Sequence, residues 1–178
     1  MKRDLLYALT CLCFSIMIGG AVYEHLTIVP KWSAAPPLSL SMFQGTYGLK
    51  PELFWKLIHP VTLALFALTL FTHWKTERRK NILTALSSYF LILVITAFYF
   101  VPELLAITTT PFAQKTDPDL TRRAGAWEMW SLVRLGVLLL LAMQLFLGLA
   151  KSGLTTRKTS ENQQKNLHHR NSEMAIDV

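Results

Sequence analysis

Long apolar intervals alternate with short polar ones along this chain, and the alternation predicts its elements. Four intervals, 5–29, 53–72, 82–104 and 126–150, are almost free of charge. Each is close to or above the roughly 20 apolar residues that cross a hydrocarbon core as a helix. The fold class expected is all-α: an integral membrane four-helix bundle made by one domain, residues 1–150. The remaining residues, 151–178, are polar without usable periodicity and are expected to form a disordered tail, with His168 and His169 solvated. A short helix is expected around 40–44, within the long link between the first two spans.

Few polar groups interrupt the spans, so their helical phase is informative. At about 100° per residue, Cys13, Met17, Gly20 and Glu24 share one stripe of the first helix. Gly20 would let a neighbouring helix approach closely. Trp55, His59 and Thr62 align on the second helix; Tyr89, Thr96 and Glu103, with Tyr99 beside them, align on the third. Arg123, Trp127, Trp130 and Arg134 lie within an arc of about 60° on the fourth. Each stripe ends in an ionisable group near the same end of the bundle, while the other halves carry almost none. The arrangement of lowest cost turns all four stripes inward. Arg134, whose burial in a bilayer costs about 2.5–3.5 kcal/mol or more, then requires a partner, for which Glu24 and Glu103 are the candidates. Glu128 lies about 120° around the helix from Arg134 and reads as a headgroup-level residue. Trp32, Trp55, Trp127 and Trp130 fit an aromatic belt at the membrane surface, with stacking on a substrate as the alternative.

Composition and charge agree with a membrane chain. Of 178 residues, 52% are hydrophobic and 16% charged, against about 25% charged in soluble domains. The formal charge of +7 does not point to nucleic acid, because the cations gather beside the spans. Lys2 and Arg3 precede the first span, Lys75, Arg78, Arg79 and Lys80 fill the short second link, and Lys151, Arg157 and Lys158 follow the fourth. The positive-inside rule therefore predicts that both termini are cytoplasmic, in what reads as a bacterial inner (plasma) membrane. Lys2-Arg3, the apolar run and Gly19-Gly20-Ala21 also admit a cleaved signal peptide, although the apolar run continues to Val29. Cys11 and Cys13 are two residues apart on a helix and point about 200° apart, so they read as packing residues.

Proline placement adds detail. Pro60 should kink the second span beside His59, and Pro102 precedes Glu103. Asp117-Pro118 has the form of an N-cap followed by proline at the first helical position. The last helix would then begin before the membrane.

The segments GGAVYEHLTIVPKW and PPLSLSMFQGTYG resemble the first helix and following loop of the anthrone-oxygenase-like family of small four-helix membrane proteins. RRAGAWEMWSLVRL resembles that family's last-helix entrance, a tryptophan followed at helical spacing by an arginine. The resemblance covers about residues 5–149 and implies a four-helix bundle. It also implies kinship with cofactor-free oxygenases that convert an anthrone to an anthraquinone. Glu24, Trp127, Arg134 and Tyr47 are the matching positions; His25 and His59 lie outside them.

Three functions follow from the residues. In the first, a small hydrophobic molecule, phenolic or quinone-like, stacks on Trp127 or Trp130; His59 or Glu24 removes a proton and Arg134 stabilises the oxyanion. The catalytic candidates are Glu24, His59 and Arg134, and the binding candidates His25, Tyr47, Tyr99, Glu103, Trp127 and Trp130. A resonance-stabilised carbanion reacts with dioxygen directly, so this reading predicts no cofactor. The second function is a b-type haem site between His25 and His59. The third is non-catalytic: an assembly factor, lipid-binding partner or small transporter. A second copy of the chain is a further candidate partner.

Overall fold

The computed structural model describes the backbone of residues 2–174 and the side chains of residues 2–150. Its elements are α1 (Lys2–Thr27), α2 (Val29–Ser33), a 3-10 turn (Leu38–Phe43), α3 (Glu52–Thr72), α4 (Arg79–Ile95), a π-helical turn (Thr96–Phe100), α5 (Val101–Thr108) and α6 (Pro118–Met174). No strand occurs among the described residues. Four helical stretches are long and apolar enough to cross a membrane: Lys2–Ser33, Glu52–Thr72, Arg79–Thr108 and Pro118–Ala150. They contain the four predicted intervals and extend beyond most of their ends, because polar residues continue the helices. Near the expected 40–44 helix the chain makes the 3-10 turn instead.

The helices alternate in direction, as their cross-links show. The start of α1 meets the ends of α3 and of the apolar part of α6: Thr10 Oγ1 lies 2.7 Å from Thr69 Oγ1, and Tyr7 donates to the Leu145 carbonyl at 2.9 Å. Asn81, at the start of α4, donates to the Gln144 carbonyl at 3.2 Å. At the opposite end, hereafter the loop end, Trp55 near the start of α3 reaches Glu24 near the end of α1. Each long helix packs on two others, α1 on α3 and α6, and α4 on α6 and α3. The result is an up-and-down ring of four helices.

The interior of that ring is aromatic and aliphatic. Tyr7, Phe14, Met17, Phe66, Ile82, Tyr89 and Leu145 are essentially inaccessible. Phe14 packs edge-on against both Phe66 and Tyr89, with ring centroids 5.4 and 5.3 Å apart. The outer faces are equally apolar: Leu57, Phe71, Phe98 and Leu140 are mostly exposed. The close approach anticipated at Gly20 is present, since a Cβ there would sit 2.5 Å from Phe54 Cε1 of α3.

Two backbone features shape the loop end. Asp117 caps α6 as its sequence suggests, its Oδ1 accepting from the amides of Asp119 at 2.8 Å and Leu120 at 3.2 Å. In the third span, Pro102 has no amide proton for the Phe98 carbonyl. The helix widens immediately upstream, and the Val101 amide bonds to the Thr96 carbonyl five residues back. The extra residue sets everything beyond it back by about one position, ~100°. Glu103 therefore leaves the stripe of Tyr89 and Thr96. At Pro60, by contrast, α3 continues as a single helix from Glu52 to Thr72.

The first loop folds over the loop end. Val29, Trp32 and Leu40 pack with Phe100, Ile107, Leu120, Ala124 and Trp127 into a second apolar cluster. The Asp117 amide donates to the Pro36 carbonyl at 2.9 Å, joining the two loops. Past Ala150 the α6 backbone stays helical to Met174, where the sequence reading expects a disordered tail. Propagating an existing helix avoids the nucleation cost, so a polar segment follows it more readily than it would start one.

The opposite end, where α1 begins, holds a second set of ionisable groups just outside the predicted spans. Arg78 is buried, donating to Asp4 Oδ1 at 2.8 Å and the Leu149 carbonyl at 3.1 Å. His73, 2% exposed, stands edge-on to Tyr7. Of the cations in the link, Arg78 turns inward, where α1 brings Asp4 to it.

Candidate functional site

The polar stripes of α1, α3 and α4 meet at the loop end of the ring. Glu24, on α1, accepts a hydrogen bond from the indole Nε1 of Trp55 at 2.8 Å. One turn along α3, the His59 ring stacks on Trp55 with centroids 5.3 Å apart. His59 Nδ1 lies 2.7 Å from the Tyr89 hydroxyl on α4. The network continues inward through Thr62, which is beside Tyr89, donates to the Ile58 carbonyl at 2.7 Å and lies 3.2 Å from Cys13 Sγ.

That order of partners bears on the His59 tautomer. Thr62 has one proton, already given to the Ile58 carbonyl, so its oxygen is left to accept. Tyr89 can then donate to Thr62 and accept from His59 Nδ1–H. In this arrangement His59 Nε2 keeps its lone pair, the form a general base needs.

Arg134 faces inward from α6 and borders this network. Its Nη1 donates to Thr96 Oγ1 at 3.0 Å and its Nη2 to Ser131 Oγ at 2.9 Å. The guanidinium carbon lies 4.3 Å from the centroid of the Phe100 ring. Thr96 and Phe100 bound the π-helical turn, so this backbone feature forms one wall of the arginine's surroundings. Glu24 and Arg134 interact electrostatically across the interior, but no ion pair joins Arg134 to a carboxylate among the described residues.

The expected pairing of Arg134 with Glu24 or Glu103 is therefore not what the structure contains. Trp55 occupies Glu24. Glu103, carried aside by the π-helical turn, takes a bidentate hold on Arg123, with Nε–Oε1 at 2.7 Å and Nη2–Oε2 at 2.9 Å. Hydroxyls and a ring face take the carboxylate's place.

The other candidates separate into interior and exposed residues. Trp127 is 5% exposed and donates to the Phe100 carbonyl at 2.9 Å. It stands edge-on to Trp32 and lies parallel to His25 with centroids 6.5 Å apart. Trp32 and Trp127 are thus buried packing residues and Trp55 a partly buried one whose indole N–H is taken by Glu24, not a surface belt. A loop that folds back onto the bundle covers Trp32 and Trp127. Glu128, read as a headgroup residue, accepts from Ser33 Oγ at 2.7 Å and ties the first loop to α6. Trp130 and Tyr99 are about half exposed and Tyr47 is 99% exposed, so none of the three joins the interior network.

His25 and His59 belong to different clusters. His25 Nδ1 donates to the Ala21 carbonyl at 2.9 Å, and its Nε2 is buried with no hydrogen-bond partner among the described residues. His59 faces Trp55 and Tyr89, and no contact connects the two imidazoles among the described residues. No group of three or more His, Cys, Asp or Glu residues with metal-binding geometry occurs among the described residues. Sequence reasoning missed Tyr89 as a hydrogen-bonding partner, Ser131, and Phe100 as an arginine platform. Ser131, three residues before Arg134 and therefore one turn away, was the signal available. No family model, curated protein or solved structure matches this chain.

Proposed function

We propose that this chain is a multi-pass membrane protein that binds a small hydrophobic molecule bearing a phenolic or quinone-like oxygen, with Arg134 as the group that meets that oxygen. The observation that carries this reading is the arginine's set of neutral partners. A guanidinium has five N–H donors, and the two hydroxyls take two of them. A structural ion pair would have supplied a carboxylate; here Glu24 and Glu103 are engaged elsewhere. An oxygen carrying negative charge is the complement such a cation lacks.

The apolar outer faces support placement in a bilayer, since a helix apolar all round is not one that water surrounds. The cations at the start of α1 and in the α3–α4 link favour a cytoplasmic location for that end, which puts the site in the outer half of a bacterial inner membrane. Trp130 and Tyr99 are on the outer surface, where an arriving molecule would first meet the protein.

The resemblance to the anthrone-oxygenase-like family extends the proposal to chemistry. His59 Nε2, or Glu24, removes the proton alpha to the carbonyl, and Arg134 stabilises the enolate oxygen. The electron-rich carbon then adds dioxygen and takes up a proton to give a hydroperoxide. Loss of the second C–H proton with cleavage of the O–O bond leaves one oxygen as the quinone carbonyl and releases the other as water. The test is turnover of anthrone by protein in lipid nanodiscs, with product identified by mass spectrometry. Arg134→Met should abolish binding, and the double change His59→Ala with Glu24→Gln should abolish turnover while binding persists. Unchanged turnover in the double variant would remove these roles.

One observation favours the non-catalytic reading. Glu24 and His59 are both already hydrogen-bonded, as they would be in a network that only holds helices together. Binding without turnover by the wild-type protein would select that reading.

A further inference from the structure

We propose that the end of the bundle where α1 begins carries a binding site for the phosphate headgroup of an anionic phospholipid, independent of the loop-end site and resting only on the reading of these helices as membrane spans. A groove of about 620 Å³ opens there, lined by Arg3, Phe71, Thr72, Trp74 and Lys75. It lies at the opposite end from Arg134, and none of the loop-end residues lines it.

The lining has the composition of a headgroup site. Arg3 comes from the first turn of α1 and Lys75 from the link after α3, so two separate elements bring two cations to one groove. No carboxylate is among the lining residues. Asp4, the next residue after Arg3, is paired with Arg78. Glu77, the acid of the link, does not line the groove. Arg79 stacks its guanidinium 5.3 Å from the Trp74 ring, adding a third positive group beside the rim.

The aromatic half of the groove distinguishes a lipid from free phosphate. Phe71 is 83% exposed and Trp74 53% exposed, at the end of a helix whose outer face continues as exposed Leu68, Ala64 and Leu57. A headgroup seated between Arg3 and Lys75 would lay its acyl chains along that face. Tryptophan at the rim suits the boundary between hydrocarbon and headgroups. Cations beside a span attract anionic lipid over neutral lipid.

Trp74 provides the measurement. The full chain is placed in bilayers that contain either phosphatidylglycerol or phosphatidylcholine brominated on the acyl chains, at equal mole fraction. The fluorescence of Trp74 is taken as the difference between wild type and Trp74→Phe. Brominated phosphatidylglycerol should quench it at least about twofold more than brominated phosphatidylcholine. Arg3→Gln with Lys75→Gln should remove the preference, and Arg3→Lys with Lys75→Arg should keep it, both with wild-type helicity by circular dichroism. Equal quenching by the two lipids in the wild type overturns the proposal. So does a preference that survives the double glutamine change, or one that millimolar inorganic phosphate abolishes.

Discussion

Arg134 lies over the face of Phe100, 4.3 Å from guanidinium carbon to ring centroid, and not against a carboxylate. A cation above a ring is stabilised by the ring quadrupole, by about 2 kcal/mol when both are out of water. That, with two hydroxyls, accommodates the arginine in an apolar bundle without fixing it to another helix by charge. Arg134→Met should therefore change unfolding free energy by less than about 1.5 kcal/mol, since no carboxylate is left unpaired. Thr96 keeps its bond to the Ile92 carbonyl while Ser131 loses its donor, and the lost ring contact is offset by the desolvation the cation no longer incurs. Breaking a buried ion pair would instead cost about 3–5 kcal/mol. Reversible unfolding in mixed detergent micelles measures the difference. A loss in the larger range would mean that Arg134 is held by a charge in solution.

The approach of α1 to α3 depends on Gly20. A Cβ added there would meet Phe54 Cε1 at 2.5 Å and Cζ at 2.8 Å, so the ring must move. Phe54 is 37% exposed and its ring has room to turn outward. Gly20→Ala should consequently destabilise by about 1–2 kcal/mol, and Gly20→Leu by more. Adding Phe54→Ala to Gly20→Ala should recover most of the loss, giving a coupling energy of about 1 kcal/mol in a double-mutant cycle. Additive effects of the two changes would show that the contact is not tight.

Most of this seam was legible in the sequence, because a straight helix keeps a constant phase. Cys13, Met17, Glu24, His59, Thr62 and Tyr89 turn inward as their spacing predicts. Glu103 broke the rule through one local event: the widened turn before Pro102 reset the phase beyond it, and phase counting assumes no such reset. Trp32 and Trp127 were misread for a different reason. A tryptophan near a helix end looks the same in sequence whether lipid headgroups or a returning loop covers it. Here the cover is non-local, with α2 and the 3-10 turn folded onto α6. At the other end, a lone acid among basic residues, Asp4, was the readable sign that Arg78 is held inside.

The cap of α6 should act locally. Asp117 Oδ1 satisfies the Asp119 and Leu120 amides, two donors that the first turn cannot satisfy internally. Asp117→Ala should cost about 1 kcal/mol and Asp117→Asn clearly less, because asparagine caps nearly as well. Amide hydrogen exchange should report the loss as faster exchange confined to residues just after Pro118. Acceleration spread evenly over all the helices would point to a global role for Asp117.

Arg78 should be the most costly cation to remove from this protein. It is 9% exposed and reaches three elements at once: Asp4 on α1, the Leu149 carbonyl on α6, and His73 at 3.4 Å beyond the end of α3. Its guanidinium also lies 5.3 Å from the Tyr7 ring centroid. Arg78→Ala would empty the space it fills, withdraw a donor from the Leu149 carbonyl and remove the charge that faces Asp4. A loss of about 2–4 kcal/mol follows from these together. Arg78→Lys keeps the charge but not the planar fork that serves Asp4 and Leu149 together, so it should recover no more than half of that. Asp4→Asn, changing a side chain that is 55% exposed, should cost clearly less than Arg78→Ala. Arg78→Ala falling within 1 kcal/mol of wild type in chemical unfolding, about the size of an exposed pair, would show that this end is solvated in solution and that the buried network does not hold the helices.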